Sequence, residues 1–120
     1  MSSLSDEEIY REIGKITSTF KLLECEDCAK AVMLWLQEND IQGQIILIRT
    51  KKRKEYYILS KRLESRGINE SITLNGKHYG VEVRGLVFDN LSTEGLIRES
   101  WIKDFFCPSE QFIIEELPEL

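Results

Sequence analysis

Glu24-Cys25-Glu26-Asp27-Cys28-Ala29-Lys30-Ala31 is the stretch on which the reading of this chain turns. It places two thiols one turn apart where a loop becomes a helix. Cys25, Cys28, Ala29, Val32, Trp35 and Leu36 recur on one face, which predicts an amphipathic helix from Cys25 to Asn39. A thiol at a helix N-terminus has its pKa lowered by the helix dipole and by unpaired backbone N–H groups. The same N–H groups can form half of an oxyanion hole. Cys25 stands in that position; Cys28 is a turn further in and reads as packed. Glu24, Glu26 and Asp27 work against a low thiol pKa unless a histidinium lies close. The simpler alternative is two small, half-buried core residues, a common fate of free cysteine.

Upstream of that helix, Ser5-Asp6-Glu7-Glu8 fits a capping box, and Ile9, Ile13, Ile16 and Phe20 follow at helical spacing. Downstream, Gln44 to Thr50 and Tyr56 to Ser60 read as strands. Between them Lys51-Lys52-Arg53-Lys54 reads as a solvated hairpin tip. It is alternatively a docking patch for an acidic partner or, with Tyr56 and Tyr57, a stacking site for nucleic acid. Lys61 to Asn75 shows no clear period, only turn signals at Gly67 and Asn75-Gly76. Ile97, Trp101, Ile102 and Phe105 predict a short third helix, and Phe112 to Glu115 a last strand. Helices first and neighbouring strands afterwards favour an α+β fold, with an antiparallel sheet packed on the cysteine-bearing helix.

His78 to Val83 and Leu86 to Asp89 read as a hairpin around Arg84-Gly85. A two-residue turn pairs 83 with 86 and 81 with 88. Tyr79, Val81, Val83, Leu86 and Phe88 then share the apolar, core-facing side. His78, Gly80, Glu82, Val87 and Asp89 share the other. His78 and Asp89 fall on a diagonal, about 7–8 Å apart at Cα and within reach of a side-chain hydrogen bond. Gly80 leaves room between them. The alternative is a surface histidine beside an Asp89-Asn90 turn. Nucleophilic cysteine catalysis needs a thiolate, a base and a group that orients the base, and Cys25, His78 and Asp89 are one candidate for each.

Rival uses of the thiols remain open at this point. Cys25, Cys28, His78 and Cys107 offer four zinc ligands, although His78 and Cys107 form no compact second knuckle. That alternative belongs to a binding or regulatory protein with structural cysteines. A thioredoxin-like pair requires its helix to follow a strand directly, whereas here a helix and a loop precede it.

The whole chain sets bounds on these readings. Its 120 residues suffice for one domain with a core: an N-terminal helix over 1–20, a catalytic core over 21–107, and a C-terminal strand and tail over 108–120. A net charge of −5 argues against non-specific binding to nucleic acid or anionic membrane. Three cysteines are too few for a disulfide scaffold and point to a reduced compartment. No apolar run approaches the roughly 18 residues of a membrane helix, and Met1 to Glu8 is polar and acidic, unlike a leader peptide. The chain therefore reads as cytoplasmic as written, without a cofactor.

Cys25-x-x-Cys28-Ala29 before an apolar helix, Ile41-x-Gly43 and the Ile-rich strand together resemble the papain-fold toxin 2 domain of bacteria. Asn75-Gly76-x-His78-x-Gly80, Val87-Phe88-Asp89-Asn90, Gly95 and Trp101 extend the similarity over roughly Phe20 to Trp101. The resemblance implies a compact papain-like fold with a Cys25-His78-Asp89 triad. It further implies a role in polymorphic toxin systems, exported and acting on target-cell proteins as a peptidase or deamidase, with a cognate immunity protein as partner. Cys28, Asn90 and Trp101 are supporting candidates: Cys28 as a packed neighbour or redox cap, Trp101 as a wall of the site. Papain enzymes use a glutamine shortly before the cysteine in the oxyanion hole; Ile16 to Glu24 contains none, so the second donor is unassigned. Such domains usually end long secreted proteins, so a chain from Met1 to Leu120 reads as a stand-alone homologue or an excised piece.

Overall fold

The computed structural model of the chain describes residues 4–120, so Met1 to Ser3 of the polar N-terminal stretch lie outside the described residues. Helix α1 (Asp6–Thr17) starts as its capping box dictates: Glu8 N–H donates to Ser5 Oγ and Ser5 N–H to Glu8 Oε1, each at 3.2 Å. Helix α2 (Cys25–Glu38) follows. It ends where Asp40 enters the left-handed region and Ile41 N–H turns back to Leu36 O at 2.9 Å.

Strand β1 (Gln44–Thr50) is central to the sheet. It pairs antiparallel with β3 (Lys77–Val83) on one side and with β6 (Phe112–Leu117) on the other, and β4 (Leu86–Phe88) closes the order β4-β3-β1-β6. The β3–β4 register is the expected one, with Val83 opposite Leu86 and Val81 opposite Phe88. Arg84 (φ 48°) and Gly85 (φ 90°) form the two-residue turn with both φ positive, the twist that matches a right-handed hairpin.

Two expectations fail here. Lys51 to Lys54 is not a hairpin tip, because both edges of β1 are already taken. Ile45 to Ile48 are all buried, as in a strand covered on both faces. The segment Tyr56 to Ser60 yields only β2 (Leu59–Ser60), which leads into a one-turn helix α3 (Lys61–Glu64). The expected third helix is α4 (Arg98–Lys103); Phe105 lies beyond it in β5 (Phe105–Phe106), which pairs with β2 as a small second sheet.

The hairpin also has two buried faces rather than one. Val81, Val83 and Phe88 pack with Ile9, Ile13, Cys28, Ala29, Val32 and Leu36 of the two long helices. On the opposite face, Ile46, Ile48 and Val87 pack with Ile58, Leu63, Ile72, Leu91, Trp101 and Phe105. The result is an α+β fold of helices, antiparallel sheet and a mixed third layer. Burying about 1.5–3 kcal/mol per large apolar side chain, each layer contributes to holding the sheet. Among the described residues no helix is long and apolar enough to cross a membrane.

Candidate active site

Hairpin parity fixes where the site can form. With 83 and 86 as the hydrogen-bonded pair, residues 77, 79, 81 and 83 of β3 aim their backbone groups toward β4. β4 stops at Phe88, so Lys77 and Tyr79 are left without a strand partner on that side. Cys25, at the start of α2, fills the gap. Its thiol donates to Lys77 O at 3.9 Å, and Tyr79 N–H donates to the sulfur.

His78 approaches from the opposite face of the same strand. It is fully buried, its ring 5.9 Å from the indole of Trp101 and 5.0 Å from Phe105 between centroids. The reading of His78 as a surface residue fails because this face of the hairpin is roofed by α4 and β5. Asp89 is buried too, and the expected diagonal contact forms: Nε2–H of His78 donates to Oδ2 of Asp89 at 3.0 Å. A carboxylate only accepts, so the ring proton sits on Nε2. Among the described residues Nδ1 has no partner other than the Cys25 thiol that faces it.

The electrostatics separate the two cysteines. Burial pushes the Cys25 thiol up, but its interaction with the His78 ring and the Tyr79 amide outweighs this, and the net direction is down. Two of the three flanking acids have partners of their own: Glu24 accepts from Lys21 N–H at 2.6 Å, and Glu26 lies 3.8 Å from Lys30. Burial, Asp89 and Cys25 together push the Cys28 thiol up to about 12. Burial opposes a charged imidazole, yet Asp89 and Cys25 raise His78 to about 9. Burial also opposes the Asp89 carboxylate, and His78 and Arg62 hold it well below the usual range. Both shifts run in the direction that favours a thiolate beside an imidazolium.

The supporting candidates divide. Trp101 donates Nε1–H to Asp89 Oδ2 at 2.8 Å, so it braces the acid as well as filling the core. Gly80 makes room for that indole rather than for the His78–Asp89 contact: a Cβ there would lie 2.8 Å from Trp101 Cζ2. Cys28 is a core residue of the helix layer. Asn90 does not orient the imidazole; its Nδ2 donates to Lys21 O at 2.8 Å and ties the loop before α2 to the end of the hairpin. Cys107 is remote from the other two thiols, bonded to Ser109 and Gln111 O. Among the described residues no three His, Cys, Asp or Glu side chains form a metal-holding group, so the four-ligand zinc set is not assembled.

Sequence reasoning missed Arg62. From the short α3 it clasps Asp89 with two bonds, Nη2 to Oδ2 at 2.8 Å and Nη1 to Oδ1 at 3.1 Å. Its Nε–H and backbone N–H both go to Asp104, each at 2.8 Å, and Ser60 Oγ completes that carboxylate at 2.6 Å. The only cue in the sequence was Ser60, the N-cap of the one-turn helix.

Beside the thiol opens a cleft of about 220 Å³ lined by Leu23, Cys25, Glu26, Thr73, Leu74, Asn75, Lys77 and Tyr79. Leu23 holds φ 76°, a left-handed conformation costly for a leucine, two residues before Cys25. Strain of that kind is kept where the surrounding structure dictates it, here at the entry to α2.

A sequence model of the papain fold toxin 2 family matches residues 8–106. No curated protein and no solved structure matches the chain.

Proposed function

The chain belongs to the papain fold toxin 2 family, and from that premise we propose that it is a cysteine-dependent acyl-transfer enzyme, a peptidase or protein deamidase. The observation that carries the reading is the buried Nε2–Asp89 bond, which leaves Nδ1 of His78 for the Cys25 thiol. Cys25 is the nucleophile, His78 the general base and acid, and Asp89 the group that orients His78.

In this mechanism the thiolate sulfur bonds to a peptide or side-chain amide carbon in the cleft. The uncapped N–H groups at the start of α2 support the developing oxyanion, since Glu24 turns its carboxylate back to Lys21 instead of capping them. His78 gives its Nδ1 proton to the leaving nitrogen, the C–N bond breaks, and a thioester remains. Water then attacks the thioester as His78 takes its proton, and the thiol is released. The toxin family is compatible with a protein target and a cognate immunity protein.

Iodoacetamide at neutral pH tests the chemistry. Cys25 is expected to alkylate well before Cys28 and Cys107, and His78→Ala to remove that preference. Equal, slow alkylation of all three thiols would sink the reading.

A further inference from the structure

The start of α2 supplies one side of an oxyanion hole, and the loop before it contains no glutamine to supply the other. Asn75 also lines the cleft, and its amide is oriented by its neighbours. Lys77 N–H donates to Asn75 Oδ1 at 3.1 Å and Thr73 Oγ1–H donates to the same oxygen at 2.7 Å. A donor on each side of Oδ1 fixes which end of the amide is oxygen, so the NH₂ faces away from both. No side chain or carbonyl takes up Nδ2 among the described residues, and Asn75 lines the same small cleft as Cys25.

The corner that carries Asn75 is rigid. Thr73 is buried, its backbone N–H held by Ser71 Oγ, and Asn75 N–H returns to Thr73 Oγ1 at 3.3 Å. Gly76 sits at φ 72° against Thr50 and the Glu55 carbonyl, with no space for a Cβ. The next residue but one is His78, and the Lys77 carbonyl between them accepts from the Cys25 thiol. Thiol, imidazole and amide are thus mounted on one five-residue run of backbone and the helix end it touches.

We infer that Asn75 Nδ2–H is the second oxyanion donor, a catalytic residue that contacts the substrate carbonyl oxygen as the sulfur attacks. This deepens the acyl-transfer reading and rests on Cys25 as nucleophile. An N–H fixed before the reaction stabilises the charged oxygen without reorganising, which is what such a donor contributes.

Alkylation and acyl transfer separate the two ideas, because iodoacetamide displaces iodide without forming an oxyanion. The probe acyl donor is p-nitrophenyl acetate, read as nitrophenolate release in one turnover. Asn75→Ala is expected to slow acyl transfer by about 100- to 1,000-fold while Cys25 alkylates at the wild-type rate on its pH plateau. Asn75→Asp keeps the acceptor for Lys77 and Thr73 but has no donor, so its ratio of acyl transfer to alkylation is expected to fall likewise. Parallel loss of both rates marks a structural role and overturns the inference. Unchanged acyl transfer in either variant also overturns it while leaving Cys25 as nucleophile, and a wild type that neither acylates nor alkylates at Cys25 overturns both.

Discussion

His78 Nε2 and Asp89 Oδ2 meet at 3.0 Å with neither side chain exposed to solvent. The contact crosses the open end of a hairpin and places Nδ1 toward a thiol held by the unpaired edge of the same strand. The thiol arrives from the helix side of the sheet and the imidazole from the opposite side. They can meet only because β4 ends one residue before Asp89. Asp89 is itself held by Arg62, Trp101 and the Leu91 amide, so its orientation is set before any substrate binds.

Asp89→Asn keeps the shape and removes the charge. Oδ2 now serves three donors, from His78, Trp101 and Arg62, and an uncharged amide cannot satisfy them equally. Breaking a buried pair by removing one partner costs about 3–5 kcal/mol, and Asp104 still pairs Arg62, so a loss near about 3 kcal/mol is expected. Urea unfolding measures it. The same variant is expected to slow Cys25 alkylation at neutral pH, since the imidazolium loses its counter-charge.

Stability should vary with pH in the sense set by these shifts. His78 is raised to about 9, so its contribution is complete below its unfolded value of 6.5 and is lost as pH rises through about 9. Asp89 is depressed, so its contribution is present above 3.8 and is lost as pH falls through its lower folded value. Cys25 is depressed and titrates in the opposite sense, so the comparison is made in a Cys25→Ala background. There the stability gap between the His78 protein and its His78→Gln variant is expected to be wider at about pH 6 than at about pH 9.5. Denaturant midpoints of both proteins at the two pH values decide it; a gap that does not narrow contradicts the ion pair.

What the sequence exposed and what it hid follow from the range of the contacts. Hairpin alternation has period two and the turn has two residues, so His78 and Asp89 were forced to one face by local geometry. The helix carrying Cys25 was legible from its apolar spacing. Neither pattern told that the His78 face is covered, because Trp101 and Phe105 roof it through tertiary packing alone. Ser60, Arg62 and Asp104 sit in a two-residue strand, a one-turn helix and a helix end, elements too short to carry a period. The basic turn at Lys51 to Lys54 misled because a charged break between two apolar runs looks like a hairpin. The unbroken apolar run Ile45 to Ile48 was the signal of a central strand, buried on both faces, whose neighbours come from elsewhere.

Gly80→Ala probes the roof. The added Cβ lies 2.7 Å from Val87 Cγ1 and 2.8 Å from Trp101 Cζ2, so the indole must move. Overpacking of this kind costs about 1–3 kcal/mol. Because the same indole donates to Asp89, Cys25 alkylation is expected to slow as well. Gly67→Ala is the control: its φ of 81° makes alanine strained, yet nothing lies within 4 Å of the new Cβ. It is expected to lose stability, by about 1–2 kcal/mol, and to alkylate normally.

Arg62→Met and Arg62→Lys test whether the guanidinium holds the acid in its charged form. Arg62 pairs with two buried carboxylates, and it is one reason Asp89 stays well below the usual carboxylate range. Methionine fills the space without the charge, leaving Asp89 buried beside Asp104. The expected loss at neutral pH is about 3–5 kcal/mol. An Asp89 without its cation titrates upward, so the variant binds a proton there earlier than wild type as pH falls. Its stability deficit is therefore expected to narrow toward about pH 5, whereas the deficit of a simple cavity does not change with pH. Lysine restores a charge, but one ammonium cannot reproduce the fork that spans Asp89 and Asp104, so partial recovery is expected. Urea unfolding of the three proteins at about pH 7 and about pH 5 reads both effects. A deficit in Arg62→Met that is unchanged by pH shows that the arginine acts by packing alone.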